Sequence, residues 1–138
     1  MPDPALGSAF SLFARPGRRI LVVDDDAAVC ELVAEGLEEL GYSVLVAPSG
    51  EAALALLLNS QGTDRRTPGA DDLALAIIDA QLPRLSGLEL AGRLVAERPA
   101  LKVLMISGYF VPQGVPWRVL RKPFHMAQLA AAVQEEIG

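Results

Sequence analysis

ILVVDDD, residues 20–26, is an apolar run that stops abruptly on three acids. Short, β-branched and flanked by charge, it predicts a buried strand over Arg19–Val23. Three further runs end the same way. Leu73-Ala74-Leu75-Ala76-Ile77-Ile78 runs into Asp79, Val103-Leu104-Met105-Ile106 into Ser107, and Val119-Leu120-Arg121 into Lys122-Pro123. Ligand sites of parallel sheets form beyond the carboxyl ends of the strands. As parallel strands, these four runs bring carboxylates, a hydroxyl and an ammonium to one edge.

The rest of the chain supplies the elements that such a sheet needs. Asp26 is placed to cap a helix over Ala27–Leu40, whose buried face carries Val29, Val33 and Leu37 with Leu32, Gly36 and Leu40. Gly41 ends it by permitting positive φ. Tyr42–Ala47 reads as a second strand, and Ser49 caps a helix to about Leu58. Gln61–Asp72, with two glycines and Pro68, reads as a surface loop. Leu73–Ile78 is a central strand, Gln81–Gly87 a turn, and Leu88–Arg98 a helix stopped by Pro99. Leu101–Ile106 and Trp117–Arg121 are the last strands, and His125–Ile137 is the final helix, with Leu129 and Val133 inward. Residues 1–17, holding Pro2, Pro4, Gly7, Pro16 and Gly17, read as a leader or linker. Strands alternating with helices imply an α/β, doubly wound, five-stranded parallel sheet with right-handed crossovers.

Composition narrows the function. A chain of 138 residues is expected to form one domain. Its net charge of −5 argues against nucleic acid or an anionic membrane as partner. No apolar stretch reaches spanning length unbroken. Cys30 is the single cysteine, so no internal disulfide is available, and a reducing cytoplasmic location is expected. Only Lys102 and Lys122 are lysines, which makes an ammonium at the end of an apolar run conspicuous.

Asp24, Asp25 and Asp79, packed together, repel unless one protonates or a cation joins them. Oxygen donors suit Mg²⁺, which keeps waters and accepts phosphate oxygens. A free carboxylate can then accept a phosphoryl group as an acyl phosphate, with Lys122 and Ser107 sharing the charge on its oxygens. Plainer roles fit the neighbours. Asp26 is a helix cap before it is a metal ligand, Cys30 is small apolar filler, and Asp71 and Asp72 are solvated loop charges. His125 is a surface or capping residue, and Trp117 and Tyr109 are packing groups.

ILVVDDD at 20–26, IIDAQLPRLSG at 77–87, VLMISG at 103–108 and KPF at 122–124 together resemble the receiver domains of two-component response regulators. GYSVLVAPSGEAALALL at 41–57 is similar to the second strand and helix of that family, and the likeness covers residues 18–138. The resemblance implies a flavodoxin-like sheet of strand order 2-1-3-4-5, as in the chemotaxis regulators. It implies Asp79 as phosphoacceptor and Mg²⁺ (or Mn²⁺) held by Asp25 directly, by Asp24 through water, by Asp79, and by the Gln81 backbone carbonyl. Ser107 would follow the phosphoryl group and Lys122 would pair with it, with a cis bond before Pro123. The donor would be a phosphohistidine on a histidine kinase or phosphotransfer protein. The chain would act on itself rather than as an enzyme with turnover, and a homodimer is allowed.

Two features depart from that family. Ser107 and Lys122 lie only 15 positions apart, with Pro112 and Pro116 between them, so the helix joining strands 4 and 5 is expected to be shortened or missing. Val119 occupies the position where receivers usually carry an aromatic switch residue. An alternative is therefore a receiver-fold interaction module whose output does not depend on phosphorylation. A haloacid-dehalogenase-type phosphatase fits poorly, because Asp24 and Asp26 are followed by Ala28 where that site wants Thr or Val.

Overall fold

The computed structural model describes residues 19–63, 73–109, 111 and 114–137. The expected leader at 1–17 and most of the loop before the third strand lie outside the described residues. In chain order the elements are β1 Arg19–Val23, α1 Ala27–Glu39, β2 Ser43–Ala47, α2 Gly50–Thr63 and β3 Leu73–Asp79. They continue with α3 Gly87–Glu97, β4 Lys102–Ser107, β5 Arg118–Arg121 and α4 Met126–Ile137. All pairings are parallel and the sheet order is β2-β1-β3-β4-β5.

Strand alternation builds the layers. Leu21, Val23, Ala76, Ile78, Val103 and Met105 face α2 and α3, joining Ala53, Leu57, Leu90 and Leu94. Ile20, Val22, Leu75, Ile77, Leu104 and Ile106 face α1 and α4, joining Val33, Leu37, Leu129 and Val133. The middle strands are thus covered on both faces, which is why they are apolar without alternation.

Each expected helix start has a physical cause. The Asp26 carboxylate accepts from the Ala28 and Val29 amides. Ser49 Oγ accepts from Ala52 N–H at 3.0 Å and Ser86 Oγ from Glu89 N–H at 3.1 Å. Gly41 follows α1 at φ 100, the left-handed conformation that ends helices cheaply. At α4, exposed His125 precedes the helix, and its N–H donates to Gln128 Oε1 at 2.8 Å, so the Gln128 side chain reaches back to the helix start.

Some expectations fail. Leu32, assigned to the buried face of α1, is 53% exposed, because that helix turns a narrower stripe to the sheet than its leucines suggest. The second helix, expected to end near Leu58, runs to Thr63. Asn59 and Ser60 are mediocre helix formers and Gln61 a good one, none is a breaker, and Gly62 alone costs about 1 kcal/mol. Between β4 and β5 no helix occurs among the described residues. Phe110, Pro112 and Gln113 lie outside the description, while Val111, Trp117 and Val119 pack partly buried against the α2–α3 side.

Candidate functional site

Register places the polar residues at one height. Val23, the last residue of β1, pairs with Ile78, and Asp79 pairs with Ile106, so Asp24, Asp79 and Ser107 emerge together at the carboxyl edge. Lys122 follows β5, its N–H bonded to Ser107 O at 2.8 Å. The Lys122–Pro123 peptide is cis.

Asp24 and Asp79 are buried, at 1% and 5% exposure, while Asp25 is exposed. Ligand atoms of these three carboxylates lie within 4.8 Å of one another. The Lys122 ammonium bridges the two buried ones, 3.0 Å from Asp24 Oδ2 and 3.1 Å from Asp79 Oδ2. Backbone amides hold the other oxygens. Asp26 N–H donates to Asp24 Oδ1 and Gln81 N–H to Asp79 Oδ1, both at 2.9 Å.

Burial dominates the electrostatics of Asp24. It pushes that carboxyl above the usual range, with the charge of Asp79 adding, against the Asp26 amide and Lys122. For Lys122, burial opposes the charged form, but hydrogen bonds and attraction from Asp24 and Asp79 outweigh it and raise its pKa.

The donor set fits a hard divalent cation. Asp24 Oδ2 is buried and, beyond its ionic contact with Lys122, receives no aligned hydrogen bond. A buried carboxylate oxygen with spare lone pairs beside two more carboxylates is what such an ion relieves. The adjoining cleft, about 470 Å³, is lined by Asp25, Asp79, Gln81, Gly108, Tyr109 and Lys122. It is open enough for a phosphoryl-sized group.

Every residue singled out from sequence is therefore at this edge: Asp24, Asp25, Asp79, Gln81, Ser107 and Lys122. Asp26 stands apart as a cap, and Tyr109, expected as a packing group, is 71% exposed beside the cleft. Three contacts were not foreseen. Cys30 Sγ lies 3.2 Å from the Asp24 carbonyl and donates to it, so the thiol is more than filler. Ser107 Oγ lies 2.7 Å from Gln81 Oε1. Gly87 opens α3 directly against the Asp79 backbone, where an added Cβ would collide with the Asp79 carbonyl and Ala80 Cα. A glycine at a helix start already capped by Ser86 is the one sequence sign of that approach.

Comparison with known proteins agrees with this architecture. The family model described as response regulator receiver domain matches residues 20–134. Response regulator MprA of Mycobacterium sp. (strain KMS) is 34% identical over 126 residues, covering 84% of this chain and 49% of its own length. The response regulator receiver protein CpdR of Brucella abortus is 27% identical, covering 86% of this chain and 95% of its own. The crystal structure of TrrA from Thermotoga maritima, in complex with Mg²⁺-BeF, superposes with a TM-score of 0.70 at 29% identity, over 86% of this chain and 97% of that one. The chain spans about half the length of MprA.

Proposed function

The chain belongs to the response regulator receiver domains of two-component systems, and from that membership we propose that Asp79 accepts a phosphoryl group from a phosphohistidine. The donor would belong to a histidine kinase or a phosphotransfer protein. An Asp79 oxygen forms its bond to phosphorus as the phosphorus–nitrogen bond breaks. The departing imidazole keeps the electron pair and takes up a proton, leaving an acyl phosphate on Asp79. The protein acts on its own side chain, with only slow loss of the group to water, and so has no free substrate to turn over.

Such transfer depends on positioning and on neutralising the phosphoryl oxygens. Asp24, Asp25 and Asp79, with the Gln81 backbone carbonyl, would hold Mg²⁺ or Mn²⁺, which when bound draws charge from those oxygens. Lys122, already against Asp24 and Asp79, would supply a second positive charge, and Ser107 one hydroxyl hydrogen. The carrying observation is the buried carboxylate pair bridged by Lys122 beside an exposed third acid. A scaffold has no physical need for so repulsive a cluster.

Acetyl phosphate or phosphoramidate with Mg²⁺, followed by intact mass measurement, tests this. One added phosphoryl group is expected on the wild type and none on Asp79→Asn. An Asp79→Asn protein that gains the same increment would overturn the assignment.

One observation favours a second reading, an interaction module indifferent to phosphorylation. No helix joins β4 to β5 among the described residues, and Val119 replaces an aromatic, so the elements that usually broadcast the switch are altered. Partner binding and oligomeric state that stay constant upon full phosphorylation would favour it.

A further inference from the structure

Ser107 is fully buried at the end of β4, next to Ile106, the register partner of Asp79. A hydroxyl has one hydrogen to give. Two acceptors compete for it: Gln81 Oε1 at 2.7 Å and the Tyr109 carbonyl at 2.8 Å, while Tyr109 N–H donates back to Oγ at 3.1 Å. Gln81 is also tied to the acceptor itself, its N–H donating to Asp79 Oδ1 at 2.9 Å. One residue thus grips the phosphoacceptor through its main chain and the hydroxyl through its side chain. Gln81 and Asp79 both line the cleft a phosphoryl group would enter.

We propose that the Gln81 side chain latches Ser107 in the resting position and thereby sets how readily the edge takes up a phosphoryl group. This rests on reading Asp79 as the phosphoacceptor. The hydrogen that Ser107 offers a phosphoryl oxygen must first be withdrawn from its present acceptors. The Tyr109 acceptor is main chain, common to any residue at that position. The Gln81 amide belongs to this sequence, so it is the tunable half of the latch. Gln81 acts here as a positioning residue that opposes activation, separately from its backbone carbonyl.

The affinity for beryllofluoride with Mg²⁺, a mimic of a phosphoryl group on a carboxylate oxygen, tests the latch by calorimetry. Gln81→Leu keeps much of the side-chain volume but cannot accept a hydrogen bond. It is expected to tighten binding roughly two- to tenfold, the range set by one exchanged hydrogen bond. On a Ser107→Ala background, which has no hydroxyl to latch, the same change should bring no gain. An equal gain in both backgrounds means that Gln81 acts by bulk or access, and overturns the latch; so does unchanged or weaker binding by Gln81→Leu. Wild-type protein that binds no beryllofluoride removes the phosphoacceptor reading and the latch with it.

Discussion

At the scale of single residues, the site is set by how closely backbones approach. Gly87 N–H donates to the Ala80 carbonyl at 3.2 Å, drawing the start of α3 onto the end of β3. A Cβ there meets main chain on β3, which cannot rotate away. Gly87→Ala is therefore expected to cost about 1–3 kcal/mol, as overpacking does, and to displace the Asp79 backbone. Thermal denaturation together with phosphorylation rate from acetyl phosphate checks both effects. Gly36 makes the contrast: the atoms nearest its added Cβ belong to the Met126 side chain, whose flexible end can move. Gly36→Ala should lose less stability and leave the phosphorylation rate near wild type. A Gly87→Ala protein as stable and as fast as Gly36→Ala would show that the close approach is not required.

At the scale of elements, one question is whether Asp26 serves the helix or the cation. Its carboxylate caps α1, and it lies outside the group of carboxylates near enough to share an ion. Asp26→Ala is expected to cost about 1 kcal/mol, the usual loss of a cap. Asp26→Asn keeps the acceptor oxygen and should stay near wild-type stability, with Mg²⁺ affinity little changed. Tm measured with and without Mg²⁺ decides this; a large loss of Mg²⁺ affinity in Asp26→Asn would make it a ligand. Caps and strands were legible in the sequence because each depends on nearest neighbours: a side-chain oxygen two or three residues before an amide, or an unbroken apolar run. Leu32 and the far end of α2 were not. Helical periodicity says which residues share a face but not how wide a stripe the sheet covers, and a helix without a breaker ends where tertiary contacts stop supporting it. The Gln81–Ser107 bond was hidden for another reason. It joins residues 26 positions apart, and its geometry depends on side-chain rotamers that no spacing encodes.

At the scale of the whole molecule, the charge cluster ties folding to pH and to cation. Asp24 has a folded-state pKa above its unfolded value of 3.8, so the folded chain binds that proton more tightly. Its contribution to stability therefore falls as pH rises from 3.8 through the folded pKa. Lys122 has a folded-state pKa above 10.5, so its stabilising contribution is full below 10.5 and is lost as pH rises past the folded value. Between these windows the metal-free fold carries an ionised, buried Asp24 that Lys122 only partly compensates. Asp24→Asn should accordingly raise the Tm of metal-free protein at neutral pH, and the gain should shrink as pH falls through the raised folded pKa, where the wild-type carboxyl protonates. Cation linkage runs the other way. Holding an ion requires Asp24 ionised, so the Tm increment from Mg²⁺ should grow as pH rises through the same window. At a hundredfold excess over Kd the stabilisation behind that increment approaches about 2.7 kcal/mol. The same increment should be much reduced in Asp24→Asn. Tm measured in chelator and in Mg²⁺, from about pH 4 to about pH 8, separates the two effects. An increment independent of pH and equal in Asp24→Asn would mean that the cation binds elsewhere on the fold.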